Sequence, residues 1–198
     1  MDPTVTNQNQ IPQKKLSLLK IVILIFAGII AFEILMGLKT LLTPIPASLP
    51  KTAAITAGTI TLSAPQTIKT GNSVPVNIKI STGNHLTTGV DLVLKYDAQK
   101  LEASPGSFIK GNAYDDYPPL NIDSANGIIR ISGVVSVNKE GFKGSGDFGT
   151  LQFLAKSSGS TSVSLDFKPG QTSDSNMLEV GTNNDVLGQV ESATIKIE

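Results

Sequence analysis

Two hydrophobic patterns divide this chain. From Ile21 to Leu38 nearly every position is apolar, with Glu33 as the main interruption. From about Gly58 onward apolar residues alternate with polar ones instead. Ile60 and Leu62 alternate in GTITLSA, Val74, Val76, Ile78 and Ile80 in SVPVNIKI, and Val90, Leu92, Leu94 and Tyr96 in GVDLVLKYD. Successive side chains of a strand point to opposite faces, so a period of two predicts strands buried on one face. Further strands are predicted over 128–133, 148–155, 161–167 and 192–198, with shorter candidates at 107–110, 119–122, 176–180 and near 186. Gly, Asn, Asp and Ser fill the joints, as in the runs TGN at 70–72, SANG at 124–127 and SSGS at 157–160. No amphipathic helix follows the apolar segment. The pattern therefore predicts an antiparallel two-sheet sandwich over 58–198.

The N-terminal pattern predicts something else. Residues 1–17 are polar and without periodicity, which reads as a disordered tail. A membrane-spanning helix takes about 20 apolar residues, and 18–42 supplies that length if Glu33 and Lys39 are accommodated. Glu33 costs about 2 to 3 kcal/mol near a bilayer centre, against favourable terms from the surrounding Ile, Leu, Val and Phe. Lys14, Lys15 and Lys20 precede the segment and Lys39 follows it, which predicts a cytoplasmic N-terminus. The expectation is a single-pass plasma-membrane anchor with the C-terminal domain outside. Its alternative is a secretory signal cleaved after Ala47 or Ala54. Glu33 could also pair with a partner helix inside the membrane. Pro44, Pro46 and Pro50 make 43–57 a semi-rigid stalk.

Composition narrows the chemistry. The 198 residues carry zero formal net charge and no long basic run, so nucleic acid is not an expected partner. The absence of cysteine excludes disulfides, thiolate metal sites and cysteine nucleophiles. His85 is the single histidine and lies in a turn, which argues against a histidine metal cluster or a Ser-His-Asp triad. Asp115 and Asp116 are adjacent, whereas glycoside hydrolysis needs carboxyls opposed across a cleft. No enzyme and no cofactor are expected.

The strand at 89–97 carries the main candidate site. If Val90, Leu92, Leu94 and Tyr96 face inward, Gly89, Asp91, Val93 and Lys95 face outward, and Val93 is the odd apolar member. Alternation likewise turns Arg130, Ser132 and Val134 outward and Ile129 and Ile131 inward. The segments TITLSAPQTIKTGNSVPVNIKI, GVDLVLKYDAQKLEA, GIIRISG, FGTLQFLAKSSGSTSVSLDF, SDSNMLEV and DVLGQVESATIKIE follow one another through about 57–198. In that order they resemble a cohesin module, the receptor half of the cohesin–dockerin pair. The resemblance implies a nine-stranded jelly-roll sandwich and a dockerin-like protein partner docking on one sheet face. It aligns Asp91 with a frequent contact residue, places Gly89 where the family often has Asn, and puts Val135 where many members carry an acid. The expected partner face is Gly89, Asp91, Val93, Lys95, Arg130, Ser132 and Val134. An ordinary solvated sheet face remains the alternative.

Two further readings attach to the loop GNAYDDYPP at 111–119. Asp115, Asp116 and Asp123 are weak candidates for calcium, which takes several oxygen ligands, although no EF-hand spacing is present. Tyr114 and Tyr117 could stack on a sugar ring, which keeps a polysaccharide-binding module as an alternative function. A structural subunit of a surface appendage is a third.

Overall fold

The computed structural model describes residues 18–42, 56–171 and 173–198. The predicted tail at 1–17 and nearly all of the predicted stalk, 43–55, lie outside the described residues. Two compact units result, Met1–Thr52 and Ala53–Glu198.

In the first unit, helix α1 (Leu18–Leu42) forms where the apolar run predicts it. Its large apolar side chains between Val22 and Met36 are exposed. The expected transmembrane span is corrected, however. Among the described residues no helix is long and apolar enough to cross a membrane. Within α1 the apolar run is broken by Glu33 and Lys39.

The second unit is the expected all-β sandwich. Its strands are β1 (Gly58–Ser63), β2 (Thr67–Ile68), β3 (Ser73–Ser81), β4 (Thr87–Tyr96), β5 (Leu101–Glu102), β6 (Phe108–Lys110) and β7 (Asn121–Asp123). They continue with β8 (Ile128–Val134), β9 (Ser145–Ala155), β10 (Gly159–Leu165), β11 (Asn176–Glu179), β12 (Leu187–Glu191) and β13 (Ala193–Ile197). One sheet runs β12-β1-β3-β9-β5, with β6 also on β9. The other runs β2-β13-β10-β4-β8-β7, with β11 also on β4. Thirteen strands replace the nine expected. Short candidates at 107–110, 119–122 and 176–180 are strands β6, β7 and β11, whereas β2 and β5, of two residues each, are too short for an alternating pattern to show. The pairing is also not wholly antiparallel, because β12 lies parallel to β1 and β2 parallel to β13.

Period-two alternation builds the core. Ile60, Val76, Ile78, Leu151 and Phe153 of one sheet meet Leu92, Leu94, Ile129, Ile131, Val163 and Ile195 of the other, all almost fully buried. Tyr96 on β4 packs against Phe153 on β9 with ring centroids 5.2 Å apart. Burial of this apolar surface is what holds the sheets face to face.

Strand β4 is central to its sheet. On one side it pairs with β8 along its length. On the other it pairs with β10 through Leu94–Tyr96 and with β11 through Thr87–Asp91. The chain between β10 and β11 leaves the sheet at Asp166 and returns at Ser175. Val93, in the gap, keeps its backbone bonds. Its N–H donates to Ser175 Oγ at 2.9 Å, and its carbonyl accepts from the Asp166 N–H at 2.7 Å.

Candidate protein-binding face

The β4–β8 register pairs Gly89 with Val134, Asp91 with Ser132 and Val93 with Arg130. All seven candidate residues therefore stand on two neighbouring strands, but they do not play equal parts. Asp91 is exposed, and its Oδ1 accepts from Ser132 Oγ at 2.5 Å. Arg130 is exposed, and Val134 is 38 % exposed. Lys95 points outward but its ammonium meets Asp166 at 2.9 Å.

Val93 differs from expectation. It is only 5 % exposed, yet it does not belong to the core cluster between the sheets. It is an outer-face residue closed over by the chain itself, where the β10–β11 excursion meets β4. A valine in that position is packing, not an open contact. Gly89 is buried as well. A Cβ there would stand 2.9 Å from the Gly133 carbonyl oxygen and 3.1 Å from Val134 Cγ1, so β8 leaves no room for the Asn that the resemblance led us to compare.

The open apolar surface lies one step further along. A groove of about 380 Å³ is lined by Thr88, Gly89, Val90, Asp91, Val134, Val135, Ser136, Val137, Lys139 and Leu178. Val137 is fully exposed at its edge. Sequence alternation missed Val137 because it follows the strand rather than lying in it. It missed Leu178 because only the pairing of β11 with β4 brings that residue opposite Gly89. The run of Val134, Val135 and Val137 was the available signal. Interfaces combine an apolar centre with a polar rim, and here Asp91 and Lys139 supply charges at the rim.

The 111–119 loop braces this groove. Asp116 exchanges backbone hydrogen bonds with Val134, at 2.9 Å from Val134 N and 3.0 Å to Val134 O. The Asp115 carboxylate pairs with the Lys139 ammonium and accepts from the Ser136 N–H at 3.1 Å. The hydrogen bond from Lys139, and then that from Ser136, hold the Asp115 carboxyl below the usual carboxylate range. Asp123 lies elsewhere and caps a turn, accepting from the Asn126 side-chain amide at 2.7 Å and its N–H at 3.1 Å. The three weak calcium candidates are thus not convergent. Among the described residues no three His, Asp or Glu stand together as metal ligands.

The tyrosines are corrected too. Tyr114 is 5 % exposed, lies edge-on to Phe148 and hydrogen-bonds Thr87 Oγ1 through its phenol at 2.8 Å. Burial, partly offset by Thr87, pushes its pKa up to about 12. Tyr117 is half-buried against Phe108 and Phe148. The buried Tyr114 ring is not free to stack on a sugar, and Tyr117 gives part of its surface to packing against Phe108 and Phe148. His85 is bound to Glu179 at 2.7 Å, which holds that carboxyl low and marks a structural turn.

Comparison with known proteins follows the same lines. The family model for the Cohesin domain matches residues 58–195. No curated protein matches the chain. Among solved structures, a type I cohesin–dockerin complex from Clostridium thermocellum is 18 % identical, with a TM-score of 0.56, covering 76 % of this chain and all of that one. The cohesin module of a Clostridium perfringens family 33 glycoside hydrolase is 16 % identical, with a TM-score of 0.56, covering 72 % of this chain and 98 % of that one. The sixth cohesin of Acetivibrio cellulolyticus scaffoldin B, solved with a Cel5 dockerin, is 21 % identical, with a TM-score of 0.54, covering 70 % of this chain and 99 % of that one.

Proposed function

This chain belongs to the cohesin family, and we propose from that premise that its sandwich is a non-enzymatic module that captures a dockerin-like protein on the β4–β8 face. The observation that carries this reading is the valine groove. It is the place on that face where exposed apolar side chains, Val134 and Val137, meet the charged residues Asp91 and Lys139, the latter held by Asp115. A partner presenting a short apolar segment flanked by polar groups fits it. The footprint differs from the one expected of the sequence, since Val93 is enclosed outside the groove and Gly89 brings no side chain to it.

Immobilised sandwich tested against dockerin modules, and against surface proteins of the same cell, reads the proposal. Val134→Asp with Val137→Asp should abolish capture while leaving the unfolding transition in place. Undiminished capture by that pair would remove the groove from the reading.

Place of action belongs to the same proposal. The sandwich works outside the cell at the plasma membrane. What supports this is the row of exposed apolar side chains from Val22 to Met36 in α1, with Lys14, Lys15 and Lys20 before that row and Lys39 after it. Protease treatment of intact cells should remove the sandwich, and the mass of the mature N-terminus tells an attached chain from a released one.

A further inference from the structure

On the far side of Asp91 from the valine groove lies a second depression of about 170 Å³. It is bordered by Asp91, Val93, Arg130, Ser132, Asp174 and Asn176. Its chemistry is polar and carries an unanswered demand. Asp174 is only 6 % exposed. Its Oδ2 accepts from the Lys168 N–H at 2.6 Å, whereas its buried Oδ1 has no hydrogen-bond partner. A buried carboxylate oxygen without a donor is costly, and native structures rarely leave one so. Asp91 is exposed, and its hydrogen bond from Ser132 engages Oδ1 alone, so Oδ2 is open to an incoming donor.

The cation bordering the depression does not answer the demand. Arg130 takes part in none of the ion pairs among the described residues. Two carboxylates against one guanidinium leave a surplus of negative charge. A calcium ion would require six or more oxygens, and no such cluster stands among the described residues. An ammonium requires only three acceptors, and a guanidinium carries a planar fork of donors. Asp91 Oδ2, Asp174 Oδ1 and Ser132 Oγ are acceptors that such a group could use.

We propose that this depression receives a lysine or arginine side chain of the protein held on the valine groove. The proposal rests on the protein-binding reading above and adds the partner's chemistry to it: an apolar segment with a basic residue placed to reach across Asp91.

The test needs no partner. The full chain, labelled with nitrogen-15 and kept in detergent micelles, is titrated with acetyl-lysine methylamide and acetyl-arginine methylamide, with acetyl-norleucine methylamide as the uncharged control. The cationic probes should shift the amide signals of Asp91, Ser132 and Asp174, and norleucine should not. Asp174→Asn should weaken the cationic probe about tenfold, the scale of one lost charge-assisted hydrogen bond. Arg130→Gln should tighten it by removing the competing charge. If Asp174→Asn does not fold, Asp91→Asn on the exposed strand makes the same measurement. Equal shifts from norleucine, no shift from the cations, or the same shifts from calcium would overturn the proposal. A blank titration alongside intact capture of a protein partner refutes the basic pocket alone. A positive titration alongside failed capture refutes the protein-binding reading instead.

Discussion

Val93→Ala decides between two accounts of the outer face. A solvated contact residue could be truncated with almost no effect on stability and with weaker partner capture. In the structure Val93 is 5 % exposed, and its backbone is clasped by Asp166 and Ser175. Truncation removes two carbon groups from an enclosed site, each worth about 0.8 kcal/mol of transfer free energy. The resulting space cannot close fully, because the backbone on both sides is held by hydrogen bonds, so a cavity contribution adds to this. The expected cost is about 1.5 to 3 kcal/mol. Urea unfolding of the isolated sandwich, followed by far-ultraviolet circular dichroism because the chain has no Trp, reads this as a lower midpoint at unchanged slope. Val137→Ala is the control, since Val137 is fully exposed and should lose less than about 0.5 kcal/mol. Capture should behave oppositely, unchanged in Val93→Ala and weakened in Val137→Ala. A Val93→Ala protein of native stability with impaired capture would refute the account of Val93 as packing.

Three further outcomes follow from named contacts. Ser175→Ala removes the acceptor of the buried Val93 N–H and should cost about 1 to 3 kcal/mol in the same unfolding assay. Tyr114 has a pKa raised to about 12 in the folded protein against 10.0 in the unfolded chain. Its contribution is therefore fully present below pH 10 and lost as pH rises towards about 12, and Tyr114→Phe should flatten that alkaline decline. Asp115 has a lowered pKa, so its tether to Lys139 and Ser136 holds above the ordinary carboxylate range and fails as pH falls through the folded value. Partner capture should weaken in acid on that account, and Asp115→Asn should reproduce the acid behaviour at neutral pH.

How far the fold could be read before the structure depended on the length of each strand. Alternation over Val74–Ile80 or Val90–Tyr96 leaves one side buried for many residues, and such strands are where predicted. β2 and β5 contain two residues each and were missed, because two positions cannot display a period. Edge pieces of this kind are specified by what they lie beside, here β13 and β9, and that is a tertiary fact. The two parallel pairings escaped for the same reason. α1 marks another limit. An apolar run predicted a helix correctly, but among the described residues that helix is not shown to be long and apolar enough for a bilayer.

The candidate site separates direction from accessibility. Period two assigns a side chain to a face and says nothing of what the rest of the chain lays over that face. Asp91 and Val93 share one face by alternation, yet Asp91 is open while Val93 is enclosed where the chain between β10 and β11 returns to β4. That excursion splits the face. On one side Lys95 is tied to Asp166, and on the other the valine groove and the Asp91–Asp174 depression lie next to each other. Asp91 borders both, which gives this residue two separable effects. Asp91→Ala removes rim charge from the groove and an acceptor from the depression, whereas Asp174→Asn touches the depression alone. If a partner uses both, the loss in Asp91→Ala should exceed that in Asp174→Asn, and the excess measures what the rim of the groove contributes.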